Sequence, residues 1–177
     1  MGKRSSFERV ERDFYPTPLA AVVPLMAHLP ESFTFAEPCA GDARLAFHLY
    51  SLSNTNSNPT MLSDIEPRDG GVEQMDVFDF IVPPNTDYII TNPPWNRTIL
   101  HPLIEHLSNM APTWLLFDAD WMHTKQSAPF MDRLHKIVSV GRVKWIEDSK
   151  STGKDNCCWY LFDEKYNGET KFYGRKA

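Results

Sequence analysis

Phe33-Thr-Phe-Ala-Glu-Pro-Cys-Ala-Gly-Asp42 alternates like a strand as far as Glu37, turns through Pro38 and Gly41, and from Ala43 to Leu52 the chain takes up helical spacing. A strand that runs through a tight turn into a helix opens an α/β unit, and this decides how the flanking segments are read. Downstream, the polar tract Ser51 to Pro59 reads as loop and Thr60 to Asp64 as a second strand. Phe78 to Val82, stopped by Pro83-Pro84, reads as a third strand, Asp87 to Asn92 as a fourth and Thr113 to Phe117 as a fifth. Helical spacing returns in Ile99 to Met110 and, briefly, in Pro129 to Lys136. Ile137 to Ile146 and Cys157 to Phe162 follow with only the polar loop Glu147 to Asn156 between them, which predicts an antiparallel hairpin. Upstream, Leu19, Val22, Val23, Met26 and Leu29 predict a helix over Thr17 to Leu29, with Pro24 imposing a kink or an early stop. The sum is an α/β fold: a mixed, seven-stranded sheet with helices on both faces and a C-terminal antiparallel hairpin.

The 177 residues are 42% hydrophobic and 23% charged, which suits a single domain over 1–177. No apolar run reaches the roughly 18 residues a membrane span needs, and Met1 to Phe14 lacks the apolar stretch of a signal peptide, so the expected location is cytoplasmic. Three cysteines, with Cys157 and Cys158 adjacent, argue against a disulfide framework. No metal is expected: the chain has neither CxxC nor HxxxH spacing. The net charge of −5 disfavours a simple polyanion binder. Its distribution is uneven, however. Basic residues gather at Lys3, Arg4, Arg9 and Arg12 and again at Arg133, Lys136, Arg142, Lys144, Lys150 and Lys154, while acids crowd Asp64 to Asp87. If both basic groups border one cleft they would hold a phosphate backbone; on separate faces they are ordinary solvated charge.

In an open parallel sheet ligands sit at the carboxyl ends of the strands, so the strand ends carry the candidate site. Gly41 permits a tight turn and close approach of a ligand, although the turn lacks the GxGxxG spacing of a dinucleotide site. Asp64 ends the second strand, where a carboxylate can accept both hydroxyls of a ribose. Asp76 precedes the third, where it can accept from an adenine amino group. Singly, each acid also fits a helix cap or a solvated loop; their recurrence at successive strand ends favours a ligand. The fourth strand stops at Asn92-Pro-Pro-Trp95, a turn signal or a rigid cradle for a planar group.

In the order Asp13-Phe-Tyr-Pro-Thr-Pro18, Glu37 to Asp42, Ser63-Asp-Ile-Glu66, Asp76 to Phe80, Asn92-Pro-Pro-Trp95 and Val140 to Trp145, the chain resembles the class I S-adenosylmethionine-dependent methyltransferases. Within them it resembles the DNA amino-methyltransferases of gamma-like motif order, and looks similar to phage-encoded adenine-N6 enzymes, which would place it in a host cytoplasm. The resemblance implies a Rossmann-like fold and S-adenosyl-L-methionine as cofactor. Its methionine end would be held by Tyr15, Thr17, Glu37 and Gly41, its ribose by Asp64 and its adenine by Asp76 and Val77. It implies duplex or single-stranded DNA as the partner, and Asn92, Pro93, Pro94 and Trp95 as the catalytic tetrapeptide. Two departures stand out. Ala43 replaces a second glycine of the turn, and the chain has no room for a separate target recognition domain, which leaves recognition to loops or a partner protein.

The chemistry asks for that tetrapeptide. An exocyclic amine has its lone pair delocalised into the ring. The Asn92 side-chain oxygen and the Pro93 carbonyl can accept its N–H groups and favour a tetrahedral nitrogen. Proline donates no N–H and restrains the residue before it, so Pro93 and Pro94 keep the acceptors rigid. Trp95 would stack on a flipped base, worth about 1–3 kcal/mol. Lys150 and Lys154 flank Gly153 in the hairpin loop and would meet phosphate or solvent; Trp121, past the fifth strand, would line the pocket; Trp114, Trp145 and Trp159 fall in strand patterns and read as core. N6 of adenine in DNA is the leading acceptor. Cytosine N4, RNA adenine, a protein glutamine amide, and a degenerate binding domain without transfer are the alternatives, and the oligomeric state is not read from the sequence.

Overall fold

Side chains alternate between the two faces along Thr113–Asp118: Trp114 and Leu116 point to one side and Leu115 and Phe117 to the other, all of them 0% exposed. Asn156–Phe162 does the same, with Cys157, Trp159 and Leu161 opposed to Cys158, Tyr160 and Phe162. Strands covered on both faces are apolar at every position, which is why their sequence runs show no polar side. These are two central strands of one eight-stranded sheet in the computed structural model, which describes residues 14–146 and 152–175.

The strands are β1 (Phe33–Glu37), β2 (Ser57–Asp64), β3 (Glu73–Gln74), β4 (Tyr88–Thr91), β5 (Thr113–Asp118), β6 (Leu134–Arg142), β7 (Asn156–Phe162) and β8 (Lys171–Tyr173), in the order β3-β2-β1-β4-β5-β7-β6-β8. β7 pairs antiparallel with both β5 and β6, while the other pairings are parallel. Helices α1 (Leu19–Met26) and α2 (Arg44–Leu52) cover one face through Ala21, Val22, Leu25, Leu45 and Leu49. Helix α3 (Arg97–Ser108) and the 3-10 turns Ala119–His123 and Lys125–Arg133 cover the other through Leu100, Leu103, Ile104, Trp121 and Phe130. The Trp159 indole N–H donates to Ala21 O at 2.7 Å and so pins α1 to the sheet. No helix among the described residues is long and apolar enough to cross a membrane.

Four expectations are corrected. The sheet has eight strands, not seven, because Lys171–Tyr173 adds an edge beside β6. Phe78 to Val82 is not a strand: Asp76 accepts the Phe78 N–H, Asp79 and Phe80 fold back on Asp76 and Val77, and only Phe80 of this run is buried. The third strand is instead the short Glu73–Gln74. Ser57 to Pro59 belongs to β2 rather than to a loop, since Ser57 is buried opposite Phe33 and takes a hydrogen bond from Ser53 Oγ. Finally, β6 starts at Leu134 and ends at Arg142, so the helix expected over Pro129 to Lys136 is a 3-10 helix that runs from Lys125 and stops at Arg133, and Trp145 lies outside the strand. Helix α1 stops at Met26, two residues after the proline that removes one of its donors.

The chain leaves β1 toward β2 and β3 and then returns to β4 on the other side of β1, so the switch point lies between β1 and β4. Glu37, Asp64, Thr91 and Asp118 close their strands along that carboxyl edge.

Candidate active site

The turn after β1 is held open by its backbone. Gly41 has φ +53°, and its N–H donates to Asp64 Oδ2 at 2.9 Å. Asp64 Oδ1 accepts the Glu66 N–H at 2.8 Å, so one carboxylate ties the turn after β1 to the turn after β2. Each oxygen keeps a further lone pair for a ligand. The close approach that glycine allows is filled by the chain itself: a Cβ at Gly41 would stand 2.5 Å from the Phe14 ring. Arg68 covers that ring, its guanidinium carbon 4.1 Å from the centroid, while its backbone N–H donates to Gly41 O and its side chain pairs with Glu66 at 3.6 Å. Ala43, which caps α2, also adopts a left-handed conformation with φ 60°.

Glu37 is 2% exposed, and its Oε2 has no hydrogen-bond partner among the described residues. Burial raises its carboxyl well above the usual range; an N–H from Ala46 opposes this, and the charges of Asp42 and Asp64 add to it. A buried carboxylate oxygen without a partner calls for a cationic or donor group beside it. Ser63 Oγ, next to Asp64, is likewise buried without a partner. Ile65 follows Asp64 with an apolar side chain 52% exposed, which the acid-centred sequence reading passed over. Asp76 is exposed, and Val77 packs half-buried on the α3-side core.

Asn92 stands just past β4, where the segment before α1 meets it. Its side-chain N–H groups donate to Tyr15 O at 3.3 Å and Thr17 Oγ1 at 3.2 Å. With the amide nitrogen so engaged, the orientation of the group is fixed and its oxygen is left as an acceptor. The Trp95 indole N–H is shared between Leu116 O at 3.2 Å and Asn92 Oδ1 at 3.4 Å. Pro93 is buried and Pro94 half-buried. The structure thus brings Tyr15 and Thr17 to the asparagine, contacts that no sequence spacing between residues so far apart would reveal.

Trp145 joins them; it lies past the end of β6 rather than within a strand, and packs at the margin of the α1–α2-side core rather than inside it. It is half-buried beyond β6, its ring 5.8 Å from Trp95 at 83° and 6.4 Å from Tyr15. Two rings at that angle cannot both lie flat on one planar ligand, so one would offer its face and the other its edge. Trp121 goes the opposite way. It is 1% exposed, its indole donates to His101 Nε2 at 3.0 Å, and it packs on Phe117 and Phe130, which makes it core rather than pocket lining. Trp114 and Trp159 are core as expected. Lys154 is exposed beside Gly153, and Lys150 lies outside the described residues.

With this geometry the chain resembles several solved structures. A Listeria monocytogenes protein provisionally assigned as a class I S-adenosylmethionine-dependent methyltransferase matches with a TM-score of 0.60 and 10% identity, over 97% of this chain and 68% of that one. The fold is Rossmann-like, of the class I methyltransferase kind. A Pyrococcus horikoshii protein provisionally assigned as an RNA methyltransferase matches with a TM-score of 0.55 and 16% identity, over 89% of this chain and 90% of that one. The methyltransferase subunit of a type I restriction-modification system from Streptococcus thermophilus matches with a TM-score of 0.60 and 10% identity, over 90% of this chain but 47% of the other. No protein-family model and no curated protein sequence matches the chain. At these identities the likeness is one of fold.

Proposed function

We propose that the protein is an S-adenosylmethionine-dependent methyltransferase that acts on N6 of an adenine flipped out of DNA. The observation that carries this is Asn92: its amide nitrogen is engaged by Tyr15 and Thr17, and its oxygen is presented at the end of β4 beside Trp95 and Trp145.

The residues around the β1 turn fit the cofactor. Glu37 Oε2, buried and unpartnered, would hold the ammonium of the methionine end; Asp64 would accept from the ribose; Ile65, Asp76 and Val77 would frame the adenine. Thr17 keeps its hydroxyl hydrogen after accepting from Asn92, so it remains able to donate to the methionine end as well. When bound, S-adenosylmethionine would supply a methyl group made electrophilic by its sulfonium.

The chain's own part is alignment. Asn92 Oδ1 accepts one N–H of the target amine and Pro93 O the other, which draws the nitrogen toward tetrahedral geometry. No strong base is required, because the methylated nitrogen is far more acidic than its parent and gives its proton to water. Trp95, its plane set by the two hydrogen bonds of its N–H, and Trp145 hold the ring by face and edge. Flipping costs a few kcal/mol, which stacking of about 1–3 kcal/mol per contact helps to offset. Fixing nucleophile and methyl in line lowers the barrier by at most roughly 7–11 kcal/mol.

The same cradle would serve cytosine N4, RNA adenine or a glutamine amide, so acceptor identity is the point to test. Radiolabelled methyl transfer offered in parallel to duplex DNA, single-stranded DNA, RNA and protein, followed by nucleoside analysis, should give N6-methyladenine in DNA. Label in RNA or protein alone would overturn the DNA assignment. Cofactor binding without transfer to any acceptor would reduce the protein to a binding domain.

A further inference from the structure

The late basic residues divide between the two edges of the sheet. Lys136 and Lys171 stand in register where β6 and β8 begin, and Arg133, just before β6, spends its guanidinium on Ser108 Oγ at 2.9 Å and Asn109 Oδ1 at 2.8 Å. Arg142, Lys144, Lys154 and Arg175 stand at the other end, where β6 and β8 finish, and all are exposed. Because β7 runs antiparallel to both β5 and β6, β6 ends on the same edge as β4 and Asn92.

Two contacts gather these cations. Val143 O accepts the Gly153 N–H at 2.7 Å, which sets the chain at Lys144 against the chain at Lys154. Gly141, at φ +86°, has Arg175 Nη1 3.0 Å from where a Cβ would stand, so the glycine lets Arg175 lie across β6 beside Arg142. Trp145 sits among them and touches the rings of Trp95 and Tyr15. Among the described residues Arg142, Lys144 and Arg175 form no ion pair, whereas Arg44 and Arg68 in the other half of the edge are matched to Asp42 and Glu66. Asp118 and Asp120 at the end of β5 and Asp155 just before β7 mark the inner boundary, where they would repel a polyanion and keep it to the β6–β8 side.

We propose that Arg142, Lys144 and Arg175 form a ledge that carries the phosphate backbone of the nucleic acid whose base is held between Trp145 and Asn92. The ledge rests on the nucleic-acid reading given above. Exposed cations near an aromatic ring are the means by which single and flipped strands are held without a sequence code, and the contribution is visible in salt dependence.

The test is binding of a fluorescently labelled oligonucleotide, offered as duplex DNA, single-stranded DNA and RNA, across a salt titration, with cofactor affinity measured by calorimetry on the same preparations. Arg142→Ala/Lys144→Ala/Arg175→Ala should make the slope of log affinity against log salt shallower by about 2 to 3 and leave cofactor affinity unchanged. Arg142→Lys/Arg175→Lys, which keeps the charge, should retain the wild-type slope, and so should Lys136→Ala/Lys171→Ala at the opposite edge. A wild-type slope in the triple variant, or an equal loss in the opposite-edge pair, would overturn the ledge while leaving the methyltransferase reading intact. Wild-type protein that binds cofactor but none of the three nucleic acids would overturn both.

Discussion

At the β1–β3 end of the ligand edge, Glu37, Asp42, Asp64, Glu66, Asp69 and Asp76 gather with Arg44 and Arg68, which are paired to acids; at the β6–β8 end, Arg142, Lys144, Lys154 and Arg175 stand exposed around Trp145. One half is acidic and built of hydrogen-bonded turns, buried after β1 and largely exposed after β2. The other is basic and built of strand ends and a hairpin loop. Under the proposed function the difference has a direct use: a cofactor that carries a sulfonium and an ammonium is drawn to one half, and a polyanion to the other. Asn92, at the end of the strand between them, is where the two must meet. A net charge of −5 therefore says little about partners, because it averages two surfaces of opposite sign.

If that division is sound, changes in each half should move one affinity and spare the other. The largest effect is expected at the meeting point. Asn92→Ala should lower the transfer rate by about a thousandfold, as loss of a preorganised polar group does, while leaving both affinities near wild type. Unaltered single-turnover transfer in that variant would break the assignment. In the acidic half, Asp64→Ala should raise the cofactor Kd by about 10- to 100-fold, the loss of a charged hydrogen-bond acceptor, with acceptor binding little changed. In the basic half, Trp145→Ala should weaken oligonucleotide binding by about 1–3 kcal/mol and spare calorimetric cofactor affinity; the reverse pattern would merge the two halves into one site.

Glu37 sharpens the comparison through pH. Burial raises its pKa above the unfolded-state value of about 4.3, so its protonated form suits the fold. That contribution is complete below the unfolded value and is lost as pH rises through the folded one. Melting curves of cofactor-free wild type and Glu37→Gln should therefore coincide in acid and separate as pH rises, with the variant the more stable and its cofactor affinity reduced. A variant less stable than wild type at neutral pH would mean that the carboxylate already has a cation beside it. The smallest effect concerns Ala43, whose left-handed backbone costs a residue with a Cβ about 1–2 kcal/mol. After the greater chain entropy of glycine is subtracted, Ala43→Gly should stabilise the protein by about 0.5–1 kcal/mol, read as a shifted denaturant midpoint at constant slope.

The parts of this arrangement that could be read from the chain were those with local causes. Phe33 to Asp42 had to be strand and turn, because alternation and a glycine fix both within a few residues. The hairpin of β6 and β7 followed from the short polar tract Glu147 to Asn156, which carries no helical spacing in its sequence. Phe78 to Val82 was misread because its apolar residues fit a strand, whereas Asp76 captures the Phe78 N–H and folds the segment into turns. Trp121 proved to be core and Trp145 a half-buried ring at the core margin for a related reason. An indole past a strand end is pocket or core according to what lies opposite, and His101 on α3 and Tyr15 before α1 supply that from distant parts of the chain.

By itself, the sequence determined the α/β order of elements, the acids and glycine at the first strand ends, and the Asn-Pro-Pro-Trp stop after β4, since periodicity, turn chemistry and proline's missing N–H act over a few residues. Only the tertiary structure decided that Tyr15 and Thr17 hold the Asn92 amide, that Phe14 fills the space above Gly41, and that Arg142 and Arg175 share one edge with Asn92. Those relations depend on which strands lie side by side and in which direction they run. That order is set by burying both faces of the sheet at once, a condition satisfied only when the whole chain is folded.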